Sequence, residues 1–287
     1  MLSYDGKFSL YCFLIAFSIV FLLLIENICV GCSKFIDLRQ NIWWLIPGYY
    51  VVINVFLFIF CRGFTFKVAI RSAFLGTVFG VGIYILFFGP TYWEKVGLYM
   101  CVMSFFHYSE FLTIAWCNPK SLSIDSFMLN HSTEYCVAAV ASWVEFVIEV
   151  YYYPQMKRFN IISLFGFSLC IFGEILRKVA MITARTNFNH IVQVEKVPGH
   201  ELVTHGVYSF CRHPSYVGWF YWCIGTQILL LNPVCVIAYT LASWKFFSLR
   251  IENEEQTLLY FFGDDYLKYQ KSVGTGLPGI QGYIIDD

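Results

Sequence analysis

The chain has 287 residues, of which 58% are hydrophobic, 20% aromatic and only 13% charged, with nineteen basic and nineteen acidic side chains and no formal net charge. Soluble domains carry about 25% charged residues, so this composition, with a mean hydropathy of +0.62, excludes an ordinary soluble domain and points to an integral membrane protein. A neutral chain has no basic field for nucleic acid, and no nucleic-acid partner is expected.

A helical span needs about 20 apolar residues, and the chain offers eight candidates in order. Phe8–Val30 is the first, too long for a signal-peptide core and without a clear cleavage site, so it reads as a retained span. Ile42–Cys61 opens with the interfacial pair Trp43 and Trp44. Val68–Phe88 contains Gly76-x-x-x-Gly80, a spacing that permits close helix approach, and stops at Gly89-Pro90. Val96–Trp116 is fourth; Ser132–Tyr153 is fifth and carries Glu134, Glu145 and Glu149; Phe159–Thr183 is sixth, with Glu174, Arg177 and Lys178 in its last turns. Carboxylates one turn apart in mid-span, as Glu145 and Glu149 are, predict pairing with a neighbouring helix.

A polar interval follows, residues 184–214, and then Ser215–Leu231 as the seventh span. Asn232-Pro233 is a tight turn signal, so Val234–Leu249, the eighth span, runs antiparallel to the seventh. Ile251–Val273 reads as a separate interfacial helix with a break at Gly263, and the tail from Gly274 is rich in Gly and Pro. The expected architecture is therefore all-α: a polytopic integral membrane protein of about eight transmembrane helices forming a single membrane domain over 1–287. Within it, residues 1–153 supply five spans, and 154–287 supply spans six to eight with the polar segments.

Eight spans place both termini on one side. That side collects Lys7, Arg62, Lys67, Arg71, Lys120, Arg185, Lys196, Arg212, Arg250, Lys268 and Lys271; the other collects Lys34, Arg39, Lys95, Lys157 and Arg158. The positive-inside bias puts the termini and the 184–214 interval in the cytosol. The eleven cysteines sit mostly in apolar runs, where a cysteine behaves as a small hydrophobe, and Cys29-Val-Gly-Cys32 has no second pair nearby.

The chemistry concentrates in Asn187–Gly218. His190, His200, His205 and His213 are spaced by ten, five and eight residues, unlike a compact zinc module, and no metal is expected. No dinucleotide fingerprint, Walker loop or nucleophile elbow is present. Pro214 pre-sets the entry to the seventh span, and the amides that follow it can receive an anionic group. The turn at Asn232-Pro233 returns Arg250-Ile-Glu-Asn-Glu-Glu255 beside Arg212–Gly218. Arg250 and Glu254 share one helix face and Glu252 and Glu255 can share another, with Arg250 suited to gripping a carboxylate or phosphate.

Arg212-His-Pro-Ser-Tyr-Val-Gly218, an apolar hairpin, then Glu254-Glu255 resembles the RHPxYxG…EE signature of integral-membrane S-adenosylmethionine-dependent methyltransferases. Phe188-Asn-His190, Leu202–Tyr208, His213–Asn232 and Thr275-Gly-Leu-Pro278 are similar to the isoprenylcysteine carboxyl methyltransferase family, clearly so from about Arg177 to Pro278. The resemblance implies methyl esterification of the C-terminal prenylated cysteine of CaaX proteins, such as small GTPases, after proteolytic trimming. It also implies S-adenosyl-L-methionine as cofactor, an endoplasmic reticulum membrane location and a cytosolic-side pocket formed by the C-terminal third.

Carried onto this sequence, the cofactor contacts are Gln193, His200, Glu201, Leu202, Val203, Tyr208, His213, Pro214, Ser215, Tyr216 and Glu254. Arg250 holds the substrate carboxylate, with Arg177 as the second candidate. Some family members carry Glu where Asn253 stands. A carboxylate is already ionised at pH 7, so the reaction needs no base and His213 is expected to orient the cofactor. Three rivals remain: a phospholipid N-methyltransferase, an NADPH-dependent sterol reductase with a similar C-terminal pattern, and a non-enzymatic transporter or scaffold.

Overall fold

The computed structural model describes residues 1–28, 38–129, 133–158 and 160–284, and every described element of regular structure is helical. The Cys29–Cys32 pair and Lys34 lie outside these residues. Four helical stretches are long and apolar enough to cross a membrane, Tyr4–Leu24, Gly63–Phe88, Thr133–Tyr152 and Pro233–Phe262, and Trp44–Phe60 is a shorter apolar stretch. The chain divides into two compact units, one of residues 1–132 and 149–159, the other of residues 133–148 and 160–287.

The first unit is built from α1 (Tyr4–Phe17), α2 (Ile19–Ile28), α3 (Leu38–Phe60), α4 (Gly63–Phe88) and α5 (Glu94–Cys117). The predicted first span is thus two helices. Ser18 interrupts it: its hydroxyl donates to the Ile15 carbonyl at 2.6 Å, and Tyr49 donates to the same carbonyl at 2.7 Å. Hydroxyls that capture a helix carbonyl in this way bend or break the ladder. Phe13, Val68, Leu75, Tyr108, Phe111 and Phe127 make the core. Gly76 and Gly80 lie where α1 crosses α4; a Cβ on Gly80 would sit 2.8 Å from the Phe17 carbonyl oxygen, so this small-residue pair is a packing site within the chain.

In the second unit, α7 (Ile161–Ala184) and α8 (Pro214–Leu230) run in close contact. Glycines seven residues apart on each helix allow it. Gly166 and Gly173 on α7 face Gly225 and Gly218 on α8 backbone to backbone. A Cβ on Gly173 would collide with the Gly218 carbonyl oxygen and lie 2.8 Å from the Trp222 amide nitrogen. Gly173→Ala is accordingly expected to lower stability by roughly 1–3 kcal/mol, the usual cost of overpacking, read as a fall in melting temperature in detergent. Gly48→Ala, whose Cβ meets nothing within 4 Å, is the control and should hold or slightly raise the melting temperature.

Leu231, in the left-handed region at φ 57, and Asn232 turn the chain into α9 (Pro233–Phe262). Asn232 is fully buried and donates to the Ser142 carbonyl at 3.0 Å. Glu145 of α6 (Thr133–Tyr152) receives the Val234 and Cys235 amides, each at 2.7 Å, capping the start of α9. A carboxylate on two orphan amides at a helix N-terminus is favourable for both groups. Glu149 pairs instead with Lys157 at 2.5 Å in the first unit.

The expected boundary between an eighth span and a separate helix from Ile251 is absent. α9 is one 30-residue helix that passes from apolar to charged without interruption, because no Gly or Pro lies between Val234 and Phe262. The break falls at Gly263, at φ 51, and α10 (Asp264–Ser272) follows.

Candidate functional site

The α8–α9 hairpin decides the site. Pro214 occupies the first turn of α8, with His213 as its N-cap residue. Arg212 and Glu255 meet across the hairpin, Nε to Oε1 at 2.7 Å, with both side chains buried. His213 Nε2 lies 3.0 Å from the same Glu255 oxygen. One turn along, the Tyr216 hydroxyl donates to Glu254 and accepts from Arg250 Nε at 3.0 Å. Arg250 and Glu254 therefore do share a helix face. Glu252 and Glu255 do not: Glu252 is exposed, and Glu255 is wholly buried. A separation of three residues permits that pairing, but the buried Arg212 draws only Glu255 inward.

A cavity opens on this hairpin. The polar interval covers it with Asn187–Asn189, Ile191–Gln193 and His200–Val203; Arg212–Tyr216 form one wall; Glu254, Thr257, Leu258 and Phe261 of α9, with Tyr266 and Tyr269 of α10, form another. The interval is tied to α9 at two points and closed on itself at a third. Arg250 donates to the His190 carbonyl, Lys196 Nζ donates to the Phe261 carbonyl at 2.8 Å, and the Glu201 amide donates to Asn187 Oδ1 at 2.9 Å. Gly206, at φ 60, turns the chain from this cover into the segment before α8.

All of Gln193, His200, Glu201, Leu202, Val203, Tyr208, His213, Pro214, Ser215, Tyr216 and Glu254 line the cavity. Arg250 and Arg177 do not. Arg250 lies behind Tyr216, 5.8 Å from its ring centre. Arg177 is buried behind Ser215 and Phe188; it donates to Ser215 Oγ at 2.6 Å and lies 4.8 Å over the Trp219 ring. The amides after Pro214 are less open than expected, since those of Tyr216 and Val217 both return to the His213 carbonyl, at 3.0 and 3.1 Å. His213 commits Nε2 to Glu255, so it presents a ring to the cavity, stacked on Tyr216 at 5.5 Å.

The electrostatics suit an organic cation that also carries polar groups. Burial, then Lys196, lowers the His200 pKa, which keeps the ring neutral at pH 7. Its Nδ1 is buried without a hydrogen-bond partner among the described residues, leaving a position that a ligand can fill. Burial, reinforced by Glu254, raises the Tyr208 pKa, so the phenol stays neutral. Glu201 and Glu254 supply negative charge, and Leu202, Val203, Leu258 and Phe261 supply apolar walls. This donor and wall set fits an adenosyl sulfonium: carboxylates for the cation, aromatic and aliphatic faces for the base, and an unpaired imidazole nitrogen for a polar edge.

Sequence reasoning placed Arg212 and Glu255 in the two runs that meet without giving either a role, and missed Thr257, Leu258, Phe261, Tyr266 and Tyr269. A signal existed for part of this set. Residues 254, 257, 258 and 261 follow helical i, i+3, i+4, i+7 spacing, but treating Ile251–Val273 as a separate surface helix hid their continuity with Arg250.

The sequence profile of the Isoprenylcysteine carboxyl methyltransferase (ICMT) family matches residues 165–260, which span most of these elements. Protein-S-isoprenylcysteine O-methyltransferase of Tribolium castaneum is 52% identical over 287 residues, covering 99% of this chain and 100% of the relative. Those of Homo sapiens (52% identical, 83% of this chain and 84% of the relative) and Saccharomyces cerevisiae (38%, 75% and 91%) are also similar. A solved structure of the eukaryotic intramembrane Ras methyltransferase ICMT is similar at TM-score 0.92 and 50% identity, covering 99% of this chain and 100% of that one. With identity of this level along nearly its whole length, the chain belongs to the isoprenylcysteine carboxyl methyltransferase family.

Proposed function

We propose that the protein is a membrane methyltransferase that esterifies the C-terminal carboxylate of prenylated cysteine, with S-adenosyl-L-methionine as methyl donor. Its acceptors in this proposal are CaaX proteins, small GTPases among them, after proteolytic trimming. It works in the endoplasmic reticulum membrane as a multi-pass protein of about eight spans, with termini and active site facing the cytosol. Residues 1–153 provide five spans, and residues 154–287 carry the catalytic part.

The observation that carries this function is the meeting of Arg212–Tyr216 and Arg250–Glu255 on one cavity, with the Tyr216 hydroxyl between Arg250 and Glu254. S-adenosylmethionine, when bound, supplies an electrophilic methyl group on a sulfonium cation. Gln193, His200–Val203, Tyr208, His213–Tyr216 and Glu254 would hold it. Arg250 would grip the acceptor carboxylate, with Arg177 as second candidate, each as a positive group that aims the oxygen without removing a proton. The transfer would form an O–CH3 bond on the acceptor carboxylate as the S–CH3 bond broke with its electron pair left on sulfur, so none of these residues need take up a proton. An ion pair becomes two neutral products, which a site shielded from water favours. Holding both partners in line supplies ~7–11 kcal/mol of effective concentration.

Transfer of label from S-adenosylmethionine to a farnesylated cysteine analogue in liposomes tests this directly. The expected product is a base-labile methyl ester. Label appearing on an amine-headgroup phospholipid instead, or no label on either acceptor, would refute the assignment.

A further inference from the structure

Glu255 has both oxygens occupied, one from each side. Oε1 accepts from Arg212 and His213, as described above. Oε2 accepts from the Tyr283 amide at 2.9 Å and from Gln270 Nε2 at 3.1 Å. Arg212 shows the same division. Beyond Glu255, its guanidinium donates to the carbonyls of Gln270 (3.0 Å), Val273 and Gln281 (2.7 Å). The amides of Arg212 and His213 donate to the carbonyls of Gly274 and Thr275, at 2.9 and 3.3 Å.

All of these further partners come from residues 270–283. That segment is itself ordered by burial of Leu277 and Ile280, by Thr275 Oγ1 on the Ile280 carbonyl at 2.6 Å, and by Trp244 Nε1 on the Pro278 carbonyl at 2.8 Å. Gly282, at φ 86, passes so close to Glu255 that a Cβ there would lie 2.6 Å from its Cδ and 2.9 Å from an Arg212 terminal nitrogen.

We infer that the C-terminal segment Val273–Tyr283 is a positioning element for methyl transfer: its main chain, with Gln270, fixes the Glu255 carboxylate and the Arg212 guanidinium from the side away from the cavity. This rests on the methyl-transfer function proposed above. A buried carboxylate held on one oxygen alone can turn about its last torsion, and His213 would turn with it. His213 stacks on Tyr216, and Tyr216 joins Glu254 to Arg250. The tail thus reaches the cofactor wall through two residues without lining the cavity.

The test uses the full chain in detergent, with calorimetric binding of S-adenosylhomocysteine as the main readout and steady-state kinetics beside it. Gly282→Ala is expected to weaken binding about tenfold, the scale of losing the two hydrogen bonds on Oε2. Gln270→Ala should weaken it about threefold, the scale of losing one. KM for farnesyl-cysteine acceptor should stay at its original value, and any fall in melting temperature should be larger in Gly282→Ala, whose Cβ would meet the Glu255 carboxylate. The double variant should be no weaker than Gly282→Ala alone, since both substitutions act on one oxygen.

Unchanged binding in both variants overturns the inference, as does a fall in melting temperature with both substrates affected alike, which marks a merely structural tail. If Gly282→Ala does not fold, Gln270→Ala decides by the same criteria. Calorimetry reads the tail even where no ester forms. An acceptor assay that fails with the unmodified chain therefore counts against the proposed function, and the binding shift still decides the tail.

Discussion

Arg250→Ala is expected to lower kcat/KM for a prenylcysteine acceptor by about 10²-fold, the scale of losing the alignment of one reacting partner. Binding of S-adenosylhomocysteine falls by less than about tenfold, because Arg250 lies outside the cavity and supports it only through hydrogen bonds to Tyr216 and the His190 carbonyl, worth ~0.5–1.5 kcal/mol each. Kinetics and calorimetry on the same preparation separate the two effects. Arg250→Lys should recover only part of the loss, since an ammonium keeps the charge but not the planar fork. A cofactor affinity that drops in step with turnover would move Arg250 from the acceptor to the donor half of the site. Arg177→Ala behaves differently: it removes a buried side chain bonded to Ser215 and packed on Trp219, so stability falls along with activity.

Glu255→Ala is expected to destabilise the fold strongly. It leaves Arg212, 6% exposed, and His213, 5% exposed, without the carboxylate they share. Breaking a buried ion pair by removing one partner costs about 3–5 kcal/mol, because the remaining charge stays out of water uncompensated. Against an ordinary stability of about 5–15 kcal/mol this removes a large part of the margin, which thermal unfolding in detergent or the yield of monodisperse protein would read. Glu252→Ala, three residues away on the exposed face, stays within about 0.5 kcal/mol of the parent. Comparable loss in both would mean that the burial of Glu255 carries no special weight.

These two glutamates mark where sequence reading stops. Hydropathy located the helices because each apolar run must hide its backbone in a ladder, and Asn232-Pro233 located the turn because Pro begins a helix but cannot continue one. The cofactor contacts that the resemblance implied all reach one cavity. Periodicity alone could not say which face of Arg250–Glu255 turns inward: a spacing of three or four residues puts two side chains on one face without saying what lies opposite. The break at Ser18 was likewise invisible, since it depends on Tyr49, thirty-one residues away in sequence.

Composition and pattern by themselves determined the class of molecule, its helices, its hairpin and its one chemically dense interval, because those follow from what each segment must bury or expose. Only the tertiary structure decided that His213 spends its nitrogen on Glu255, that Arg250 and Arg177 stand behind the cavity wall, and that α9 carries its charged end as one continuous helix. It also decided that the Gly-rich tail is bonded to Arg212 and Glu255. Each of these turns on which partner sits within about 3 Å of a polar atom, a distance between residues far apart in the chain that local propensity does not encode.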